Sequence, residues 1–270
     1  MTSSLTLRVL TLNLWNTEGP LRRQQLLPGA IAALRPDLAS LQEVGRAQLS
    51  DVLAETGLSS VHQTDLLTPT EAASSAGTAL ASRWAPSAVE AIELPEAVSA
   101  ECAIAATIPL PVGGDLLFVA VKPTWRLDSE AARVAQAHTI ADFDAKLRGR
   151  VPSVIAGDFD ATPDSDSMRY LAGRAVVDGT SVHYHDSWAV AGDGGPGHTW
   201  TSANPFAAPV SDELIGQSPH ARRIDYVLVG SRHNHPEVAA RVRRCEVVLT
   251  DPPVSDHYGV LAEIEISPLS

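Results

Sequence analysis

The sequence predicts an α/β fold in which two packed β-sheets carry helices on their outer faces. Three observations lead there. Short runs rich in β-formers recur along the whole chain, separated by Gly, Pro and Asp. Between them lie segments with helical spacing of apolar residues, the longest over residues 128–147. No Pro- or Ser-rich linker divides the 270 residues into self-sufficient halves, so a single domain over 1–270 is expected. At this length about three-quarters of the unfolded surface is buried on folding, and no covalent staple is required.

Residues 5–12 (LTLRVLTL) alternate and predict a strand, and 21–34 predict a helix ending before Pro36. Residues 37–42 (DLASLQ) form a short apolar run suited to a buried strand, and 47–56 suit a second helix stopped by Gly57. Further β-like runs fall at 78–82, 88–94, 102–108 and 116–121. The helix over 128–147 has Asp128 or Ser129 available as N-cap. A strand over 153–156 runs into Gly157-Asp158, and 165–171 suit a short helix. Residues 189–220 are rich in Gly, Pro and Ser and are expected as long loops, before last strands at 224–229, 241–248 and 258–266.

Composition excludes several classes. No apolar run approaches the roughly 20 residues that span a bilayer. The N-terminal Met1-Thr2-Ser3-Ser4 has no basic region leading into an apolar one, so a cytoplasmic protein is expected. Cys102 and Cys245 lie far apart without zinc-type spacing, which suits reduced, inert thiols. With 20 basic and 32 acidic residues the net charge is −12, which disfavours tight non-specific nucleic-acid binding and leaves a local basic groove open.

The chemical signal is a set of lone polar residues at the ends of apolar strands: Asn13, Glu43, Asp158, Asp225, and Asp256 beside His257. One such acid is ordinarily a turn former or a helix cap. Several on neighbouring strand ends converge, and clustered carboxylates repel unless a cation or a shared proton intervenes. An oxygen-only donor set selects a hard cation, Mg²⁺ or Mn²⁺. His257 adds a group able to exchange a proton near neutrality.

The segments TLNLWN (11–16), LQEV (41–44), GDFDATPDSDS (157–167), RRIDYVLV (222–229) and SDHYGV (255–260) resemble, in order, the motifs of the endonuclease/exonuclease/phosphatase superfamily. The resemblance covers nearly the whole chain. It implies a four-layer α/β/β/α sandwich of two mostly antiparallel sheets and a metal-dependent phosphoesterase. It further implies Glu43 as main metal ligand with Asn13 and Asp256 completing or supporting the site. By the same resemblance His257 is the catalytic histidine, Asp225 orients it, and Asp158 positions or deprotonates the attacking water.

Two positions depart from the family. Asp160 stands where an asparagine usually contacts the scissile phosphate, placing negative charge near an anionic substrate. Either Asp160 is protonated, or it binds a cation, or the substrate is not a phosphate in the usual pose. Aligning on Trp125 puts Lys122 at a position often held by a phosphate-contacting histidine. Lys122 can donate as a point charge or pair with Asp160; the alternative is a solvated surface lysine. The expectation is a hydrolase of a small-molecule phosphoester, with no membrane contact. The alternatives are non-phosphate chemistry on a specialised metabolite at the same metal site, and a non-catalytic binding protein on this fold.

Other residues admit two readings. Trp15, Trp125, Trp188 and Trp200 suit either an aromatic pocket wall or core packing. His183, His185 and Asp186 are metal-ligand types, although the family pattern favours a surface turn. His198 lies in the Gly-rich GGPGHTW segment, which resembles a family segment near the site. Arg222 or Arg223 suits either a substrate anion or a neighbouring acid.

Overall fold

Alternation in the first segment gives a strand, and both of its faces are covered. Leu7 and Val9 point into one apolar cluster while Leu10, Leu12 and Leu14 point into another. The computed structural model describes residues 4–269; residues 1–3, part of the N-terminal segment inspected for a leader, and residue 270 lie outside the described residues. The chain runs β1 (Leu5–Asn13), α1 (Leu21–Leu34), β2 (Leu38–Val44), α2 (Leu49–Leu53), β3 (Ser59–His62), α3 (Glu71–Ala76), β4 (Gly77–Ser82) and β5 (Ala88–Glu93). It continues through β6 (Cys102–Pro109), β7 (Asp115–Lys122), α4 (Glu130–Leu147), β8 (Val154–Asp158), α5 (Asp166–Leu171), β9 (Tyr184–Asp186) and α6 (Ser187–Ala191). The remaining elements are β10 (Trp200–Thr201), α7 (Ala207–Ile215), β11 (Ala221–Arg222), β12 (Asp225–Gly230), β13 (Val238–Val248) and β14 (Gly259–Pro268).

Two six-stranded sheets result, ordered β13-β14-β1-β2-β4-β3 and β5-β6-β7-β8-β12-β9, with β10 and β11 as a separate ribbon. Pairing is antiparallel except for β1 with β2 and β7 with β8. Each parallel pair needs a crossover, and α1 and α4 supply it. Leu7, Ile104, Phe118, Val154 and Ile264 lie in the core between the sheets. Leu27 and Ile31 of α1 with Val52 of α2 cover the outer face of the first sheet, and Ile140 and Phe143 of α4 cover that of the second. The layers are therefore α/β/β/α, as expected from the resemblance.

Three local readings change, and the N-cap of α4 holds in position only. The helix expected over 47–56 shrinks to Leu49–Leu53, because the Thr56 N–H and hydroxyl both close a turn on the Leu53 carbonyl (2.9 and 2.7 Å). The expected loop 189–220 contains α7, whose short stripe is ended by Gly216 in the left-handed region (φ 64°). Ser129 occupies the N-cap of α4 without a side-chain cap bond. The short elements β3, α3 and β9 have too few residues to show a period. Cys102 and Cys245 are free and buried, and burial pushes both thiols up to about 12. Among the described residues no helix is long and apolar enough to cross a membrane.

Candidate active site

The two crossover units end at the same edge of the sandwich. Asn13 closes β1 and Glu43 lies one residue from the end of β2; Lys122 closes β7 and Asp158 closes β8. Register fixes the neighbours. Val121 pairs with Gly157, so Lys122 falls beside Asp158, and antiparallel β12 sets Asp225 opposite Asp158. His257 lies just before β14 and bridges to Trp200. Glu43 and Asp160 have left-handed backbones (φ 50° and 51°), as do Trp15 and Asn16 (52° and 45°). Such conformations cost about 1–3 kcal/mol each for non-glycine residues and gather at functional sites.

Asn13 joins the two sheets. Its amide donates to Glu43 Oε1 (2.8 Å) on one side and to Asp158 Oδ2 (2.9 Å) on the other, while its oxygen accepts from the Trp15 N–H (2.9 Å). The Ser40 hydroxyl makes a second link across the sheets, donating to the Ala156 carbonyl (2.8 Å). Lys122 is buried and is not a surface lysine. Its ammonium donates to Asp158 Oδ2 (2.7 Å) and to Asp160 Oδ2, and lies 3.8 Å from Glu43 Oε1. The Asp160 N–H donates to Asp158 Oδ1 (3.0 Å), and Arg222 donates to the Asp160 carbonyl (2.7 Å).

On the other side of Asp158, the His257 ring meets Asp225. Nδ1 is 3.0 Å from Asp225 Oδ2 and Nε2 is 3.9 Å from Asp158 Oδ2. Asp225 Oδ1 has no hydrogen-bond partner among the described residues. Asp256 accepts from the Ser255 hydroxyl (3.2 Å) and the Trp200 indole (3.4 Å).

The charges are strongly coupled. Burial alone would lower Lys122, but Asp158, Asp160 and Glu43 outweigh it and hold the ammonium well above its ordinary value. Burial also opposes ionisation of Asp158, yet Lys122 and His257 hold it far below the usual carboxylate range. One ammonium serves two acids, so burial and the Asp158 charge push Asp160 up despite its contact with Lys122. Burial would lower His257, and Asp225, Asp158 and Asp256 reverse this and raise it well above 6.5. Asp225 and Asp256 are raised chiefly by burial, with His257 opposing in both.

The donor set fits a hard divalent cation. Glu43, Asp158, Asp160, Asp225 and Asp256 face two cationic partners, Lys122 and His257, which leaves a formal excess of three negative charges. Glu43 and Asp256 lie close enough that Glu43 helps to raise Asp256, and no lysine or arginine makes an ion pair with Asp256 among the described residues. Asp158, Asp225 and His257 each bring a donor atom within 4.8 Å of the others, but Lys122 and Asn13 already engage the facing Asp158 oxygen.

Glu43, Lys122, Asp160, Asp256 and His257 form the floor of an open cleft, with Asn13, Asp158 and Asp225 buried beneath it. Trp15, Trp125 and Trp200 line it; Trp188 does not, and packs at the edge of the inter-sheet core instead. His183 and His185 stack edge-to-face at 4.8 Å along a different open cleft, and Asp186 there is taken by Arg223 (2.8 Å). Of the two arginines, Arg222 lines the site cleft and Arg223 stacks on Tyr226. In the GGPGHTW segment the working residue is Thr199, whose hydroxyl accepts from the Ile224 and Asp225 N–H groups (3.1 and 3.3 Å).

Sequence reasoning missed Asn204. Its amide donates to the Ser255 and Asp256 carbonyls (both 2.9 Å) and its oxygen accepts from the Phe206 N–H (3.0 Å), tying the start of α7 to the site. It also missed Val210 and Leu214 of α7 in the cleft wall. The i, i+4 spacing of those two was the available signal, hidden in a segment bounded by prolines and glycines.

A model of the Endonuclease/Exonuclease/phosphatase family matches residues 10–257. No curated protein sequence matches the chain. Among solved structures, an endonuclease/exonuclease/phosphatase from Bacteroides vulgatus superposes with TM-score 0.71 at 20% identity, covering 96% of this chain and 98% of that one. One from Beutenbergia cavernae gives 0.68 at 24% identity over 96% and 71% of the two chains. D. rerio TDP2, complexed with a single strand DNA product, gives 0.74 at 16% identity over 96% and 98%. These likenesses establish the fold.

Proposed function

Because this chain belongs to the Endonuclease/Exonuclease/phosphatase family, whose fold is that of metal-dependent phosphoesterases, we propose that it is a divalent-cation-dependent hydrolase of small-molecule phosphoesters, formed by one domain over 1–270 and working in the cytoplasm. The observation that carries the reading is the burial of Lys122 against Asp158 and Asp160. Lys122 and Asp160 together carry no net charge, as a neutral histidine and asparagine would, so the exchange adds no net negative charge where a phosphate would sit.

Glu43 and Asp256 would hold Mg²⁺ or Mn²⁺, with Asn13 fixing Glu43 in place. Such a cation, when bound, supplies charge to the phosphate oxygens. Protonated His257, which lines the cleft, would donate from Nε2 to the same developing charge, while Asp225 holds its Nδ1. Asp158 is held so far below the usual range that it is a weak base. Its role here is to position water and to orient Lys122 and His257.

A small substrate is favoured over a polynucleotide by charge. The net charge is −12, and Lys122 and Arg222 are the cationic Lys or Arg residues that line the cleft. A nucleic-acid track needs a series of unpaired Lys and Arg to replace counterions. The DNA product bound to D. rerio TDP2 makes an oligonucleotide the necessary comparison.

The test is turnover of bis-p-nitrophenyl phosphate, p-nitrophenyl phosphate and a single-stranded oligonucleotide with Mg²⁺ or Mn²⁺. Hydrolysis of an aryl ester, lost in Glu43→Ala and in His257→Ala, is the expected result. Full activity in both variants overturns the assignment, and preference for the oligonucleotide overturns the substrate class. The second reading, non-phosphate chemistry, is favoured by the carboxylate of Asp160. It gains if wild type is silent while the Asp160→Asn/Lys122→His variant hydrolyses the esters.

A further inference from the structure

The cleft has a charged floor and an apolar wall, and the wall needs an occupant. Trp125 and Leu127, on the β7–α4 connection, and Leu214 of α7 are 48%, 45% and 44% exposed, and all three line this cleft. Val210, one helical turn before Leu214, extends the same surface. Scattered exposed leucines are ordinary, but large apolar side chains from two separate elements gathered around one ionic floor are not scatter.

The wall is also preformed. Ala207, Val210 and Ile215 pack α7 onto Trp200 and Ile224. Asn204 bonds the start of the helix to the Ser255 and Asp256 carbonyls, and Phe206 rests 5.9 Å from the Trp15 ring. A wall fastened to the backbone of Asp256 holds a fixed relation to the reacting end of the cleft. Val210, Leu214 and Leu127 offer no polar atom to a sugar hydroxyl or to a second phosphate, so a polyanionic or polyhydroxylated substrate would lose hydration there without compensation.

We infer that the substrate of this site carries an apolar group, aryl or alkyl, attached to the phosphoester and seated on Trp125, Leu127, Val210 and Leu214. The inference rests on the phosphoester reading above and specifies its substrate class. Few polar groups fix the reacting end, and apolar surface selects the rest, which is the usual division of labour in a small-molecule site.

Binding of methyl-, phenyl- and hexylphosphonate to the full chain in excess Mg²⁺, followed calorimetrically, tests this without requiring turnover. Phenyl- or hexylphosphonate should bind about tenfold more tightly than methylphosphonate. The two arms separate a ring from a chain as the favoured group. Leu214→Ser and Trp125→Ala alter exposed side chains and so spare the fold; each should reduce the ratio several-fold. Val176→Ser, at an exposed apolar residue outside this cleft, should not change it. A ratio near one in wild type, or a ratio unchanged in both cleft variants, overturns the inference. Turnover of phenyl p-nitrophenyl phosphate is scored separately. A retained ratio without turnover of this ester or of the two aryl esters above sinks the hydrolase reading and leaves the subsite, turnover with a ratio near one does the reverse, and failure of all three phosphonates to bind overturns the inference, and both readings if no ester is turned over.

Discussion

Lys122 is the residue on which the ionic network turns. It is buried, and its ammonium is shared by Asp158 and Asp160. Lys122→Met would leave two buried carboxylates without their cation, a change that costs about 3–5 kcal/mol for a broken buried pair. Asp160→Asn should cost much less, because Lys122 keeps Asp158 and the site loses a repulsive charge. Combined with Asp160→Asn, Lys122→His should destabilise by less than the sum of the two single changes. Urea-unfolding midpoints of the four proteins give the coupling; strict additivity would mean that the two side chains act independently. The interdependence was legible in the sequence because both residues depart from the family pattern together. The contact of Lys122 with Glu43 was not, since no spacing relates β2 to β7.

At the scale of elements, the parallel pair β7–β8 sets the spacing of the site. A Cβ at Gly157 would lie 2.1 Å from the Val121 carbonyl oxygen, and that backbone is held in the ladder and cannot move aside. Gly157→Ala should therefore cost at least about 1–3 kcal/mol in thermal or urea unfolding and depress turnover further by displacing Asp158 from Lys122. An alanine variant of unchanged stability and activity would show that β7 and β8 approach less closely than described. Asn204→Ala should cost about 1–3 kcal/mol by stranding the Ser255 and Asp256 carbonyls, visible in the same assay. The long strands and α4 were legible because apolar residues repeat in them over many positions. The wall helix α7 was not, because its nine residues, Ala207–Ile215, give only about two and a half turns of pattern, and its hold on the site is a side chain bonded to distant carbonyls.

For the molecule as a whole, the buried His62 contributes a loss of stability in acid. His62 has no solvent exposure; its Nε2 is 3.0 Å from the Val44 carbonyl and its Nδ1 accepts from the Thr64 N–H (3.3 Å). Burial outweighs these bonds and lowers its pKa below 6.5. The unfolded chain then binds a proton that the folded one refuses, so stability is full above pH 6.5 and falls as pH drops towards the folded value. His62→Gln keeps an amide donor and acceptor but cannot titrate. Its unfolding midpoint should change less between pH 7 and pH 5 than that of wild type, and parallel pH profiles would rule His62 out as a contributor. The layered arrangement itself was legible from the motif order and the strand-rich pattern, whereas the acid-sensitive contact joins β2 to β3 through one ring and leaves no trace in the sequence.

Asn13 and Ser40 each carry a hydrogen bond from one sheet to the other. The distance between the leaves of the sandwich is thus also the width of the gap between Glu43 and Asp158, and Phe118 and Ile264, which help to set it, lie outside the cleft lining. Thickening the filling around Phe118 or Ile264 by one methylene should spread Asn13 from Asp158 before it unfolds anything. Evolution of this scaffold is then constrained in its deepest apolar layer by the tolerances of its chemistry, and variants selected for activity should carry compensating changes there.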